Sequence, residues 1–451
     1  MERLTPDREL AAGLLARAKE KGASQGDVTV VEHEGIGVKV RLGKVETVSQ
    51  AHETRLGLRL FFGRSSAATS TSDLSRASLD RLLDETCAMA RVTAQDEFGG
   101  LPEPGELAAE VPELDLLDEE ARGLPVERGI DAARVAEEHA LEYDARITNS
   151  EGAEFGNSFN RVIHANSEGF AGEYSTSTFH LSVAPVAASN GSMERAHWFS
   201  AARRHDALDA PEAVGREAGR RVIRRLGARK VRTREVPVVF DAAIAGTLVR
   251  QVGQAVSGYA LYQRASFLCD RLGQRVASDL VRIVDDGTIP SALGSRPFDS
   301  EGVGVRRKDV VEAGVLRSYL LDAYSARKLG GKSTGNAARG VGQASGVSPM
   351  NLYLIPGEHS PEDIVGSVED GFYVTELMGF GVNLVTGDYS RGASGVWIEK
   401  GELAYPVAEL TIAGNLNDML NQVEMVGNDL RPQSAVAAPT VKISRMTVAG
   451  E

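Results

Sequence analysis

Residues 27–72, DVTVVEHEGIGVKVRLGKVETVSQAHETRLGLRLFFGRSSAATSTS, alternate between apolar and polar side chains. A period of two is typical of β-strands, because successive side chains point to opposite faces of a sheet. Gly, Glu-Gly and His-Glu-Thr turns divide the run into about four or five short strands, which predicts an antiparallel meander. Helices predicted at 5–22 and 73–93 flank the meander. Together these elements predict an N-terminal α+β domain over residues 1–95.

An acidic segment follows this first block. Residues 96–120 hold ten acidic side chains and no basic one, with prolines at Pro102, Pro104 and Pro112. Like charges repel and prolines stiffen the chain, so this composition favours an extended, solvated connection. We therefore predict an acidic, proline-containing linker over residues 96–122.

A second mixture of helices and strands comes after the acidic segment. Helices are predicted at about 126–143 and 210–227, and the sequence between them alternates as the meander does. The turn Asn-Ser-Glu-Gly occurs twice, at 149–152 and 166–169, and each copy predicts a hairpin connection. These elements predict a central α+β domain over residues 123–230.

A basic run lies at the end of the central domain. Residues 216–234 hold nine Lys or Arg side chains and one Glu. Because the basic residues spread around several sides of a helix, the simplest interpretation is a solvated helix with a charged connector. Contact with the acidic segment, or with an acidic partner, is the alternative.

The remaining residues, 231–451, are rich in glycine and alternate in several places. They begin with the strand VPVVF at 236–240 and a helix, and they end with a helix at about 415–425 and a strand near 440–448. This pattern predicts a β-rich C-terminal domain. The whole chain therefore predicts an α+β fold with mainly antiparallel sheets flanked by helices.

The composition of the chain disfavours nucleic-acid-binding, disulfide-rich and membrane-spanning classes of protein. The chain has 451 residues and a net charge of −13, which disfavours general binding to nucleic-acid phosphates. Its two cysteines, Cys87 and Cys269, provide neither a disulfide framework nor a zinc-ribbon spacing. The sequence contains no signal-peptide core and no run of about 18 apolar residues. We therefore predict a cytoplasmic protein with no nucleic-acid or membrane partner.

The helix predicted after VPVVF has the amphipathic pattern of a helix that positions catalytic side chains. In residues 245–267, AGTLVRQVGQAVSGYALYQRASF, apolar residues recur at three- and four-residue spacing. Arg250 and Gln251 fall on or near the other side, where a catalytic site would need His, Glu or Cys. The helix thus has the amphipathic pattern of a helix in a catalytic site, but it lacks the His, Glu or Cys that such a site would need.

The sequence can be searched for the residues of two kinds of hydrolase, one that uses zinc and one that uses a Ser or Cys nucleophile. A zinc site needs His, Cys or carboxylate ligands at a fixed spacing. No histidine lies between His205 and His359, so residues 236–260 cannot supply an HExxH-type site. A hydrolase that uses Ser394 or Cys269 as its nucleophile is the weaker alternative, because no histidine lies near Ser394 in sequence.

The C-terminal third contains four long strings, SGYALYQRASFLCDRLGQRV, DDGTIPSALGSRPFDSEGV, SRGASGVWIEKGELAYPVAELTIAGNLNDML and VGNDLRP. Their order and spacing resemble the TldD/PmbA family and, within it, the TldE (PmbA) branch, and the resemblance runs over nearly the whole chain. It implies a heterodimeric metallopeptidase of the bacterial cytoplasm. Such an enzyme degrades unfolded or short peptides and trims leader peptides from some modified peptides.

The resemblance also implies which chemistry this chain lacks. In the TldD branch, the helix after the VPVVF-like strand carries an HExxxH motif that binds the metal, and a Cys ligand lies near the C-terminus. Arg250 and Gln251 stand at the positions of the first His and the Glu, and Ala255 stands at that of the second His. Residues 431–440, RPQSAVAAPT, contain no Cys. We therefore expect no catalytic residue, no metal ligand and no bound cofactor in this chain, with zinc in the partner subunit.

These implications predict a non-catalytic subunit that pairs with a TldD-like metallopeptidase as a heterodimer, or with itself in isolation. Peptides are the expected substrates. Candidates for peptide binding or for the subunit interface are Tyr259, Tyr262, Asp388, Ser390 and Arg391. The alternative is a self-associating peptide-binding or regulatory protein without an enzymatic role.

Overall fold

Helices pack on mainly antiparallel sheets throughout the computed structural model, which describes residues 4–189 and 191–450. The predicted α+β class is confirmed. Within the described ranges, no helix combines the length and the apolar composition needed to cross a bilayer.

One large sheet and four helices form the N-terminal half. The strands are β1 (Gln25–Arg41), β2 (Lys44–Phe62), β3 (Ser65–Thr71), β4 (Ile147–Asn166), β5 (Ala171–Ser189), β6 (Ser192–Arg195) and β7 (Trp198–Ala202). The helices are α1 (Arg8–Glu20), α2 (Arg76–Val92), α3 (Val126–Leu141) and α4 (Pro211–Ile223). The strand order is β3-β2-β1-β4-β5-β6, and β7 pairs with β5.

The sheet is continuous from the first predicted domain into the central one. Strand β1 pairs antiparallel with β2 on one side and with β4 on the other, from Asp27 opposite Asn166 to Val40 opposite Ala153. The two regions therefore share one set of main-chain hydrogen bonds. The domain boundaries at residues 95 and 123 stay a prediction.

The predicted meander consists of three long strands rather than four or five short ones. Glu34 and Gly35 lie in the middle of β1, opposite His52 and Ala51 of β2, so neither polar stretch forms a turn. The true hairpin turn is Leu42–Gly43, where both φ angles are positive at 50° and 74°. Residues 44–53 are exposed on both faces of the hairpin, and their polar composition resembles that of turns.

The two copies of Asn-Ser-Glu-Gly adopt different structures. The copy at 166–169 connects β4 to β5 as predicted. The copy at 149–152 lies inside β4, where the register against β5 shifts between Ser150 and Ala153 and Gly152 has a φ of +117°. The second prediction is therefore wrong at 149–152, because an extra residue with positive φ can form a bulge as well as a turn.

The acidic segment over 96–122 is anchored and not a solvated connection. Leu101, Leu114 and Leu116 are buried in it. The Leu116 carbonyl accepts a hydrogen bond from the amide of Ser177 at 2.9 Å. Arg327 donates to the carbonyls of residues 98, 100 and 101 at 2.7–3.0 Å. The expectation of a solvated linker is wrong, because several of its leucines are buried and its backbone is hydrogen-bonded to Ser177 and Arg327.

Among the described residues, three further sheets, one of them with only two strands, form the C-terminal half. Its strands are β8 (Arg234–Phe240), β9 (Ile283–Asp286), β10 (Arg307–Glu312), β11 (Val315–Leu316), β12 (Ala337–Ala338), β13 (Gly346–Val347), β14 (Leu352–Leu354), β15 (Asp370–Met378), β16 (Asp388–Glu399), β17 (Glu402–Asn415), β18 (Val423–Val426), β19 (Val436–Ala437) and β20 (Val441–Ala449). Its helices are α5 (Ala242–Ala255), α6 (Gly258–Tyr262), α7 (Ala323–Lys328), α8 (Pro361–Gly366) and α9 (Leu416–Asn421).

The larger C-terminal sheet closes on itself. Its order is β17-β16-β15-β8-β20-β18, and a further pairing of β17 with β20 joins Thr411 to Ala449, so that five of these strands form a ring. The smaller sheet has the order β11-β10-β9-β14-β19, and β12 pairs with β13. Helix α5 packs against β15 of the ring and against β14 and β19 of the smaller sheet. Its buried face thus lies in the common core of both sheets.

Candidate functional site

The predicted strand and helix around residue 241 are observed as β8 and α5. Asp241 is the N-cap of α5, and its carboxylate accepts the amide of Ala243 at 2.9 Å. The same carboxylate accepts the Tyr373 hydroxyl at 2.8 Å. An acid at this position satisfies an amide that the first helical turn leaves free, and it interacts favourably with the helix dipole. The start of α5 is therefore fixed to β15.

The three positions that the resemblance assigns to metal ligands have different surroundings. Ala255 is 0% exposed and packs in the core, and its carbonyl accepts the Ser266 hydroxyl at 2.6 Å. Gln251 is partly buried. Arg250 is exposed, and its guanidinium makes no hydrogen bond or ion pair with any described residue. The core thus occupies the space around Ala255, and Arg250 faces solvent.

These side chains do not fit a divalent metal. A guanidinium, an amide and a methyl group offer no imidazole, thiolate or carboxylate, which are the ligands that zinc prefers. In residues 4–189 and 191–450, no group of three or more His, Cys, Asp or Glu is arranged to hold a metal ion. We therefore derive no chemical step through a metal in this chain.

Residues 431–440 lie directly against α5, although they contain no cysteine. A Cβ at Gly246 would lie 3.0 Å from the Val436 carbonyl oxygen and 3.3 Å from the Cα of Ala437. Glycine at this position therefore lets strand β19 approach the helix closely. The structure brings together the two segments to which the resemblance assigns the metal-binding motif, and neither segment contains a His, Cys, Asp or Glu.

Tyr259 and Tyr262 lie on α6 and form an aromatic cluster with Tyr324. The Tyr259 ring stacks on Tyr324 with a centroid distance of 6.2 Å, and Tyr262 lies 5.4 Å from Tyr259. The Tyr259 hydroxyl donates to Asp322 at 3.2 Å. Burial, with the Asp322 charge, raises the pKa of Tyr259. This cluster has the aromatic surface that peptide recognition uses, but its hydroxyl is already bound within the chain.

Asp388, Ser390 and Arg391 lie together at the start of β16. Asp388 is exposed and accepts the Thr386 hydroxyl at 2.6 Å. Ser390 is also exposed, and its amide donates to the Gly381 carbonyl at 2.6 Å. Arg391 is partly buried. In the described part of the chain, no hydrogen bond or ring contact joins this group to the tyrosine cluster, so the five candidate residues form two separate groups.

The two candidate nucleophiles lie in structural positions. Ser394 is 3% exposed within β16, and its carbonyl accepts the Thr375 hydroxyl at 3.4 Å. Cys269 is partly buried, with its thiol 3.7 Å from the Leu261 carbonyl. A nucleophile needs a base within hydrogen-bond reach, and neither side chain has one among the described hydrogen bonds.

A cleft that the sequence does not predict separates α4 and β7 from the first turn of α5. We call it the α4–α5 cleft. Its main part is a cavity of about 550 Å³. The wall of this cavity includes Trp198, Arg221, Arg224, Asp241, Tyr373 and Arg431. A second cavity, of about 740 Å³, lies between β7, residues 289–293 and residues 430–437.

Several charges in the α4–α5 cleft neutralise one another. Glu217 accepts hydrogen bonds from Arg220 at 2.7 Å and from Arg221 at 2.8 Å. Burial opposes the ionisation of Glu217, but the two guanidinium groups outweigh it and lower the pKa of this carboxyl. Arg221 also lies 3.4 Å from Asp241. The basic run at 216–234 was the available signal for this cleft, but except for Glu217 its acidic neighbours, such as Asp241, lie on other elements.

A second charged cluster is buried between the N-terminal sheet and the C-terminal half. Asp27 on β1 accepts Arg59 at 2.7 Å and Arg339 at 2.5 Å. Burial opposes the ionisation of Asp27, but the Arg339 and Arg59 charges lower its pKa. Nearby, burial and the charge of Glu301 raise the pKa of Asp299 to about 7. This cluster connects the two halves of the molecule electrostatically.

The sequence matches three family models along its length. They are PmbA/TldA metallopeptidase domain 1 over residues 26–90, the central domain over residues 119–226 and the C-terminal domain over residues 233–450. A curated relative, "Metalloprotease PmbA" of Escherichia coli O157:H7, is 37% identical over 438 residues, which cover 97% of this chain and 94% of the relative.

Solved structures share the fold. A crystal structure described as a putative modulator of DNA gyrase from Bacteroides thetaiotaomicron superimposes with a TM-score of 0.92 at 28% identity, over 99% of this chain and all of that chain. TldE from Thermococcus kodakarensis superimposes with a TM-score of 0.88 over 97% of this chain and 99% of that chain. Its identity of 23% supports a common fold only.

Proposed function

Since the chain belongs to the PmbA/TldA metallopeptidase family, as its sequence predicted, we propose that it is the non-catalytic subunit of a heterodimeric peptidase. In this proposal a TldD-like subunit holds zinc and cleaves the peptide bond in the cytoplasm. The present chain stabilises that subunit and helps to enclose unfolded or short peptides and leader peptides.

The observation that carries the proposal is the chemistry of α5. Its packing face is complete, yet the positions of the expected ligands hold Arg250, Gln251 and Ala255. A cation beside the site would repel a divalent ion. An imidazole at residue 255 would have to displace core side chains, because Ala255 is fully buried. The helix is therefore suited to structural support and not to activation of water.

The cavities beside α5 support a role in enclosing peptides. The α4–α5 cleft of about 550 Å³ and the second cavity of about 740 Å³ both border the segment around Arg431. Volumes of this size accommodate small organic groups or a few residues of a peptide. Both cavities lie next to elements that pack on α5, so a bound peptide would lie near the position at which the TldD branch holds its metal.

The test measures zinc and peptide cleavage for three samples, namely this chain, a TldD-like partner and their mixture. We expect zinc and cleavage in the mixture and neither in this chain alone. As a control, a partner whose HExxxH histidines are replaced by alanine should leave the mixture inactive. Stoichiometric zinc together with cleavage by this chain alone would contradict the proposal.

A second candidate function is a self-associating peptide-binding or regulatory protein without an enzymatic role. It is favoured by the description of the Bacteroides thetaiotaomicron structure as a putative modulator of DNA gyrase. Size-exclusion chromatography with light scattering separates the two candidates. A homodimer that does not exchange subunits with a TldD-like chain would support the second candidate, whereas a stable mixed dimer would support the first.

A further inference from the structure

Arg224 is a partly buried cation of the α4–α5 cleft, and the Asp241 carboxylate in the same wall attracts it without forming an ion pair. It is the C-cap residue of α4, and it lines both the main cavity and an adjoining cavity of about 100 Å³. Its guanidinium lies 5.5 Å from the centroid of the Tyr373 ring. Across the described ranges, it makes no hydrogen bond and no ion pair. Burial, with the neighbouring Arg220 charge, lowers the pKa of Arg224.

Three neighbouring arginines in and after α4 are already in ion pairs. Arg220 and Arg221 bind Glu217, and Arg225 donates to Glu194 at 3.1 Å and pairs with Glu376. An unpaired buried charge is unfavourable unless something compensates it. The α4–α5 cleft thus holds one guanidinium that forms no ion pair with a described residue, beside three arginines that do.

The rest of the cleft indicates what kind of anion would fit. Arg431 faces the cleft from its far side, with its guanidinium 5.7 Å from the Trp198 ring, and it forms no ion pair with a described residue. Glu362 and Glu402 are exposed carboxylates in the wall. Together with Asp241 and Asp429 they make the wall rich in carboxylates, which repel a doubly charged anion more strongly than a singly charged one.

We propose that the α4–α5 cleft binds the C-terminal carboxylate of a peptide, with Arg224 as its main contact. A guanidinium presents two parallel N–H groups that match the two oxygens of a carboxylate. The apolar parts of Trp198, Val365 and Leu403 line the same cavity and can contact the last side chain of the peptide. The inference rests on the proposed function, because it assumes that peptides reach this chain.

The experiment measures the binding of a fluorescein-labelled hexapeptide, Ser-Ala-Gly-Ser-Ala-Leu, as its free acid and as its C-terminal amide. Fluorescence anisotropy is recorded with the full chain, alone and in complex with a TldD-like partner. We expect the free acid to bind about tenfold more tightly, since charged hydrogen bonds are the stronger ones. The Arg224→Gln variant should bind both peptides equally, and Arg224→Lys should recover part of the difference.

Arg216→Gln is the matched control, because Arg216 lies on the same helix, is exposed and does not line the cavities. It should keep the full preference for the free acid. Equal binding of acid and amide by the unmodified chain would overturn the carboxylate site and leave the proposed function intact. Competition by inorganic phosphate without a difference between acid and amide would also overturn it. Binding of neither peptide, alone or in the complex, would contradict the proposed function itself.

Discussion

Arg339 donates a hydrogen bond of 2.5 Å to the Asp27 carboxylate, and this contact joins the loop after β12 to the first strand of the N-terminal sheet. Asp27 is 1% exposed. Arg59 binds the same carboxylate and also reaches Glu301 at 3.5 Å. The two halves of the molecule are therefore connected by a buried network of alternating charges.

Removal of the charge at Asp27 should destabilise the protein strongly. Asp27→Asn leaves two buried guanidinium groups without their common partner, and loss of one partner of a buried pair costs about 3–5 kcal/mol. Urea unfolding at pH 7 measures the effect. The control is Asp80→Asn, which breaks the half-exposed pair with Arg17 and should cost at most about 1 kcal/mol. Similar losses in both variants would contradict this view of the network.

Asp299 should make stability fall as the pH rises. Burial and the Glu301 charge raise its pKa from 3.8 to about 7 in the folded protein. The folded state therefore holds the proton more tightly than the unfolded state, so the stabilisation is complete below about pH 4 and is lost as the pH rises through about 7.

The Asp299→Asn variant tests this dependence, because an amide keeps the size of the side chain but does not titrate. The melting temperature of the variant relative to the unmodified protein should increase between pH 5 and pH 8. Both proteins are measured by scanning calorimetry at each pH. A difference that stays constant across this range would show that Asp299 titrates normally.

Introduction of the HExxxH pattern should not create a metal site in this chain. In the triple variant Arg250→His, Gln251→Glu, Ala255→His, the residue 431–440 segment still lacks a cysteine. Ala255→His alone should cost at least about 1–3 kcal/mol, because a larger side chain must enter a filled core. Arg250→His is the exposed control and should change stability by no more than about 0.5 kcal/mol. Zinc bound stoichiometrically to the triple variant, measured by native mass spectrometry, would contradict the prediction.

Glycine at residue 215 should be required for the close approach of α4 to α3. A Cβ on Gly215 would lie 2.3 Å from the Ala136 carbonyl oxygen, which belongs to the backbone and cannot move away easily. Gly215→Ala should therefore destabilise the protein by about 1–3 kcal/mol. Gly13 on α1 has open space around it, so Gly13→Ala should be neutral or should stabilise by about 0.5–1 kcal/mol. Equal effects in thermal unfolding would contradict the packing argument.

Local periodicity predicted helices α1 to α5 because each buries an apolar stripe that is visible in its own sequence, but it did not predict the short helices α7 and α8. Helix α2 was predicted at 73–93 and spans Arg76–Val92. The β1–β2 hairpin was harder to predict, since its exposed arm at 44–53 has polar residues on both faces and resembles a series of turns. The copy of Asn-Ser-Glu-Gly at 149–152 shows the same difficulty, because a bulge and a turn need the same residues.

The site could be predicted only where its residues are close in sequence. The family pattern located α5, because its positions 250, 251 and 255 belong to one helix. The α4–α5 cleft was not predicted, since Arg221 and Tyr373 meet at Asp241 from distant parts of the chain. The pairing of β17 with β20, which closes the C-terminal ring, joins strands that are distant in sequence. The periodicity of each strand predicts the strand itself but not its partner.

The closed ring can be completed only after its last strand, β20, has been synthesised. Strand β8 is synthesised early, but its antiparallel neighbour β20 (Val441–Ala449) follows only after all the other strands of the ring. During translation, β8 must therefore wait for β20 with one hydrogen-bonding edge open, while the N-terminal sheet already has all its strands. Until β20 has been added, that open edge is a surface on which another chain can pair as an extra strand.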